Sequence, residues 1–319
     1  MCSSDLNFRY FNLKGLTNLS LQEYNELKPT QWPVWEKGQT TSVKQLFGQG
    51  EFSYASRKAK LIPTIAIDPV HSVSEDYPLI LNTGRIRDQW HTMTRTGLSA
   101  NLTTHRAEPF CEIHPNDALK FGIRDKGLVE IRSAWGSCVL RVTLAQGVRR
   151  GQIFAPIHWT EQVASDARIG KVVNPVVDAI SGEPEFKHTP VSIQPFHTTW
   201  QGVLYVREGV EHQIKPSLQT CAWWTKIKTA KAMRYELADR HSIDQTQKNL
   251  KTFLPFVDET YEWLSIEDIS SQLSHSIVLK DGILIASLYI APAELLPDRD
   301  WVASLFKRER LSALHRKAL

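Results

Sequence analysis

Between residues 77 and 195 the chain is cut into short apolar or alternating segments, 78–82, 110–113, 127–132, 137–144 and 152–156, with glycine and proline punctuating the joints. Segments of that length with a two-residue alternation are strands; they are too short for helices. So many in succession need a closed arrangement in which every strand edge finds a partner, and a small barrel provides it. One helix interrupts the series: residues 115–121 have proline in the first turn, and Gly122 stands just past the end. Trp135-Gly136-Ser137 reads as a hairpin turn, and a last strand over 190–193 completes the set.

The first strand leads into an unusual stretch. Its apolar run (Pro78, Leu79, Ile80, Leu81) meets Asn82-Thr83-Gly84-Arg85, a tight turn at the end of a buried strand. Then come Arg85, Arg87, Asp88, Gln89, Trp90, His91, Thr92, Thr94 and Arg95. So many donors and cations around one large ring make poor core material, but they suit a polyanionic, aromatic ligand. Glycine lets backbone N–H groups approach phosphate oxygens, arginines pair phosphates bidentately, and hydroxyls and amide add directional hydrogen bonds. The same composition also describes a polar surface loop around one buried tryptophan.

A second polar group follows the strand over 152–156, beginning with His158-Trp159 and continuing through Asn174-Pro175 to Glu183-Pro184-Glu185-Phe186-Lys187-His188. Taken alone, Asn174 is a turn residue and Lys187 a solvated charge. Together, these pieces resemble a known family. The wording TGRIRDQWHTMTRTG resembles the cofactor-binding turn in the last domain of molybdopterin-guanine-dinucleotide oxidoreductases, and among them most resembles bacterial assimilatory nitrate reductases. His114-Pro115-x-Asp117-Ala118, Gly122-Ile123 and Gly127-x-Val129-x-Ile131 are similar to that family's double-psi β-barrel.

The resemblance implies a mainly β chain with α+β parts: a connecting segment over 1–76, a dinucleotide-binding double-psi barrel over 77–195, and a smaller α+β domain over 196–319. It implies molybdenum bis(molybdopterin guanine dinucleotide) as the cofactor. The positions carried over as contacts are Thr83, Gly84, Arg85, Arg87, Asp88, Gln89, Trp90, His91, Thr92, Thr94, Arg95, His158, Trp159, Asn174, Phe186 and Lys187. The family's iron–sulfur cluster segment and molybdenum-ligating residue belong to earlier domains, so no catalytic residue and no metal ligand are expected in this chain. Its partners are those missing domains and an electron donor such as ferredoxin, flavodoxin or a nicotinamide-linked reductase. Nitrate reduction to nitrite is the implied reaction. A formate dehydrogenase or other molybdopterin enzyme sharing this domain, and a non-catalytic stand-alone barrel subunit, are the alternatives.

Composition narrows the rest. A net charge of +4 spread over 319 residues suggests no nucleic-acid tail. Four well-separated cysteines, with no CxxC pair, argue against a zinc or iron–sulfur site and fit a reducing cytoplasm. The eleven histidines show no HxxxH or HExxH spacing, and there is no G-x-S-x-G elbow. No apolar run has the length of a membrane span, and no export signal is visible. Residues 1–6 read as foreign sequence joined to a broken gene, which would make the chain a fragment.

Smaller expectations complete the reading. Residues 21–27 form a short helix capped by Ser20 with Glu23 three places on, and 44–53 and 57–63 form strands around a turn. Farther on, 204–206 and 222–227 are strands, 230–238 is a short helix, and Asp281-Gly282 turns a hairpin. Pro292 to Phe306 follow as the apolar side of a helix pair, with Trp223, Trp224, Trp263 and Trp301 in the core.

Overall fold

The computed structural model describes residues 13–31, 33–34, 36–38, 47–48, 50–52, 54–63, 65–179, 181–214, 221–242, 254–256, 258–268 and 270–318. The chain divides into two compact units between Asp68 and Pro69. In the first, helix α1 (Leu21–Asn25) carries the expected capping box: Ser20 and Glu23 each accept the other's backbone N–H. Half of the strand expected over 44–53 lies outside the described residues. The strand expected over 57–63 is not formed. A turn closes there instead, with Arg57 N–H donating to Tyr54 O, and no strand among the described residues offers the segment a ladder.

The second unit contains a closed barrel of β1 (Leu79–Gly84), β2 (Phe110–Ile113), β3 (Leu128–Arg132), β4 (Ser137–Leu144), β5 (Gln152–Pro156) and β6 (Thr189–Pro195). Round the barrel the order is β1-β5-β2-β4-β3-β6. The β1·β5 and β2·β4 pairs are parallel and all others antiparallel, the crossed connectivity expected of a double-psi barrel. Leu79, Leu81, Cys111, Ile113, Ile131, Leu140 and Ile153 fill the interior. Helix α2 (Pro115–Lys120) is pinned to the barrel when Asp117 Oδ2 accepts the Gly151 N–H at 2.7 Å. Burial pushes the Cys111 thiol up to about 12, so it packs as a small hydrophobe.

A second, wholly antiparallel sheet holds β7 (Trp200–Arg207), β8 (Trp223–Lys228), β9 (Ala232–Asp239), β10 (Glu262–Asp268), β11 (Leu273–Lys280) and β12 (Ile283–Ala291) in the order β10-β11-β12-β7-β9-β8. Asp281 and Gly282 both have positive φ, as the hairpin turn demands. The helix expected over 230–238 is strand β9 instead. Ala, Met, Arg, Glu and Leu favour helix in isolation, but here β7 and β8 flank the segment and take up both sides of its backbone.

Helix α3 (Arg299–Leu305) covers one face of this sheet with Val302, Leu305 and Phe306 against Tyr205 and Leu279. Trp223 is core as expected, whereas Trp301 is 37% exposed and Leu295 half exposed. Trp301 falls on the outer side of a helix that buries Val302 and Leu305. A further helix, α4 (Ala313–Ala318), follows. Under α3, Glu236 is buried, bridged by both nitrogens of the Arg299 fork at 2.9 Å and by Arg234 at 3.2 Å. Burial would raise its carboxyl, but the two guanidiniums outweigh that and hold it below the usual range.

The sheet docks on the barrel through β8. The buried Trp223 indole N–H donates to Val139 O at 3.2 Å, and Lys226 N–H to Val163 O at 2.7 Å. Thr103, in the segment after the arginine-rich stretch, donates to Lys228 O at 2.9 Å. The second sheet therefore buttresses the loops leaving the barrel's β1 end. Among the described residues no helix is long and apolar enough to cross a membrane.

Candidate functional site

At the end of β1 two distant pieces of chain meet. Thr83, buried, donates its hydroxyl to Phe186 O at 2.5 Å, and Lys187 Nζ donates to Thr83 O at 2.6 Å. Gly84 is closely packed: a Cβ would stand 2.8 Å from the Phe154 ring and 3.9 Å from Lys187 Nζ. Two residues back on the same face of β1, Asn82 Oδ1 is buried with no hydrogen-bond donor.

Beyond Gly84 the loop presents its charges outward. Arg85, Arg87, Trp90, His91, Thr92, Thr94 and Arg95 are exposed. Trp90, at 60% exposure, is not the buried centre of a polar loop. The Arg85 guanidinium lies 5.6 Å from its ring centroid, and the His91 ring meets it edge-on at 4.4 Å. Arg87 is bound by both nitrogens to Asp88, at 2.8 and 3.0 Å, and His105 takes the second oxygen at 2.9 Å. Those contacts, led by the Arg87 hydrogen bond, hold the Asp88 carboxyl below its ordinary value. Arg85 and Arg95 have no ion-pair partner among the described residues.

Three internal anchors fix the loop. Gln89 is buried, donating to Leu102 O at 3.0 Å and accepting from the Thr96 hydroxyl at 2.7 Å, while that hydroxyl accepts the Trp90 N–H at 3.2 Å. His91 and Met93 both adopt left-handed backbone, at φ 44° and 60°. Such residues cost about 1–3 kcal/mol each and persist only where surroundings enforce them; Met93 is held by its buried side chain. His158, fully buried, accepts the Ile86 N–H at Nε2 (2.9 Å) and contacts His91 O through Nδ1 (2.6 Å).

This geometry coincides with a family assignment. Residues 79–190 match the family described as Molydopterin dinucleotide binding domain. This segment belongs to that family. Over 98% of its length the chain is 31% identical to a nitrate reductase of Klebsiella oxytoca, of which it covers 34%. It is 33% identical over 186 residues to the assimilatory nitrate reductase catalytic subunit of Bacillus subtilis, covering 57% of this chain and 25% of that one. It is also 29% identical over 163 residues to the F420-dependent formate dehydrogenase subunit alpha of Methanocaldococcus jannaschii, covering 51% and 23%. The chain thus spans between 23% and 34% of the length of these relatives.

Within the dinucleotide-binding domain the sixteen residues singled out in the sequence fall into three sets. Arg85, Arg87, Trp90, His91, Thr92, Thr94, Arg95 and Lys187 are exposed. Thr83, Gln89, His158, Trp159 and Asn174 are buried and committed to other groups of the chain. Trp159 packs edge-on against Phe110 at 6.2 Å. Asn174 donates to Glu185 O and His188 O, at 3.0 and 2.8 Å, and accepts from Val176 N–H at 2.9 Å. Gly84, Asp88 and Phe186 are partly buried, and the last two hold Arg87 and Thr83. Sequence reasoning missed Asn82, Thr96, His105 and Phe154. Counting back two from Gly84 places Asn82 on the same strand face; the other three carry no local signal.

Proposed function

We propose that residues 79–190 hold the molybdopterin guanine dinucleotide of an assimilatory nitrate reductase, with this chain as the C-terminal part of the enzyme. The observation that carries the reading is Lys187 Nζ bound to Thr83 O beside Gly84, with Arg85 next in the chain and, like Arg95 in the same loop, without an ion-pair partner among the described residues. An ammonium has three donors, so Lys187 keeps two for phosphate oxygens while bonded to Thr83. Arg85, Arg87 and Arg95 pair the diphosphate, Trp90 lies against a ring, and His91, Thr92 and Thr94 donate hydrogen bonds. Asn82 Oδ1, a buried acceptor without a donor, fits the amino edge of a guanine or pterin. Thr83, Gly84, Asp88, Gln89, His158, Trp159, Asn174 and Phe186 hold those groups in place.

Bound molybdenum would supply the two-electron chemistry, while this chain binds and orients. An iron–sulfur cluster and the metal-ligating residue belong to the remaining portion of the enzyme. Electrons come from ferredoxin, flavodoxin or a nicotinamide-linked reductase, and the compartment is the cytoplasm, where the buried thiols Cys111, Cys138 and Cys221 stay reduced. Nitrate reductase is favoured over formate dehydrogenase because the first similarity extends over 98% of the chain and the second over 51%. The test is reduced-dye activity of the protein that contains this chain. Nitrite formed from nitrate supports the reading; formate oxidation without nitrate reduction overturns it.

A further inference from the structure

The parallel ladder between β1 and β5 ends where Ile157 N–H donates to Gly84 O at 3.0 Å. Two residues past the end of β1, the Ile86 N–H meets no backbone carbonyl; it donates to the His158 ring at 2.9 Å. The other ring nitrogen reaches His91 O at 2.6 Å. A ring that accepts at Nε2 must donate at Nδ1, which defines a neutral imidazole in one tautomer. We infer that His158 is a positioning residue: its neutral ring spans the loop from Ile86 to His91 and sets the place of Arg85, Trp90 and His91 against the end of β1. This rests on the reading of the site as nucleotide-binding.

The physical case has three parts. His158 is wholly buried, so it touches no ligand itself. His91 is left-handed, and the ring holds the carbonyl that this conformation turns inward. Protonation would place an N–H at Nε2 directly against the Ile86 N–H, donor facing donor, and the loop would have to move. The groups that face the ring are Arg85 and His91 from the loop and the uncharged Trp159 ring 6.4 Å away. Burial, aided by Arg85, keeps the ring below the ordinary histidine value, while the His91 carbonyl opposes them. The neutral form is therefore the resting form.

The experiment uses the full 319-residue chain, isotope-labelled, with GDP as the probe. Ring tautomer, ring titration and Ile86 amide exchange are read by NMR, and GDP affinity by calorimetry, from about pH 7.5 to about pH 5. His158→Gln keeps an acceptor for Ile86 and a donor for His91 but does not titrate; His158→Leu keeps neither. The expected result is an Nδ1–H ring and Ile86 exchange about tenfold slower in the parent than in His158→Leu. GDP affinity in the parent should fall in step with the ring titration read by NMR, and that loss should be absent from His158→Gln, whose affinity at the upper end stays close to the parent's. Equal Ile86 exchange in parent and His158→Leu, or an unchanged pH profile in His158→Gln, overturns the inference. If Ile86 exchange follows the expected pattern but no variant binds GDP at any pH, the ring's hold on the loop stands and the nucleotide-binding reading falls.

Discussion

Lys187 and Thr83 stand 104 residues apart in sequence, yet the ammonium of the first donates to the carbonyl of the second at 2.6 Å. The bond joins the loop before β6 to the end of β1 and sets a cation beside Gly84. A lysine at this place both closes the backbone and leaves donors for an anion. Separating those two roles is the first task for mutagenesis.

Lys187→Ala removes the cation and one hydrogen bond to Thr83. It should weaken nucleotide binding about tenfold while lowering stability by only about 1 kcal/mol. Arg85→Ala should weaken binding comparably and alter Trp90 fluorescence, since the guanidinium lies over that ring. In the full enzyme both changes should lower molybdenum content and leave the turnover of occupied sites unchanged; equal metal content in mutant and parent refutes the assignment.

Gly84→Ala places a methyl 2.8 Å from the Phe154 ring. A destabilisation of about 1–3 kcal/mol is expected from the overpacking. Pairing it with Phe154→Leu should recover part of the loss, and a denaturant double-mutant cycle measures the coupling. Strict additivity of the two changes counts against the contact.

Asn174→Ala removes an amide that donates to Glu185 O and His188 O and accepts from Val176. The expected cost is about 2–3 kcal/mol, with faster proteolysis of the loop that carries Lys187. Because the side chain is buried and committed, its loss should act on nucleotide affinity through that loop. A fall in affinity with parent-like stability and proteolysis would show direct contact.

Glu236 is shared by Arg234 and Arg299 beneath helix α3. Glu236→Gln removes the ion-pair partner of the nearly buried Arg234 and the partly buried Arg299, leaving Glu108 as the other carboxylate near them, and should cost about 3 kcal/mol. Adding Arg299→Met should return part of it. Thermal melts of the three proteins decide the matter, and a double mutant no more stable than Glu236→Gln refutes the ion-pair account.

Burial pushes His275 down to about 4, and no donor or acceptor meets its Nε2. The neutral ring belongs to the fold, whereas the unfolded chain takes up a proton near its ordinary value. Stability is therefore intact above about pH 6.5 and falls as pH drops toward 4, by roughly 3 kcal/mol in all. His275→Phe, which can still stack on Tyr289, should flatten that slope. An unchanged slope in urea titrations at several pH values disproves the assignment.

The strand series of the barrel, the capping box at Ser20 and the Asp281-Gly282 turn were legible in the sequence because each is governed by near neighbours: alternation, a hydroxyl three residues from a carboxylate, two residues that tolerate positive φ. The exposed cations of the loop were legible too, since composition alone makes them poor core. Tertiary structure decided the rest. Residues 230–238 carry helical propensity, yet β7 and β8 claim their backbone from both sides. His158, Trp159 and Asn174 share the polar or aromatic character of a ligand contact, and only the folded chain reveals that their atoms are already engaged elsewhere. A side chain's chemistry is written in its identity, but whether that chemistry faces a ligand or the protein itself depends on partners far away in sequence, which only folding brings within hydrogen-bonding distance.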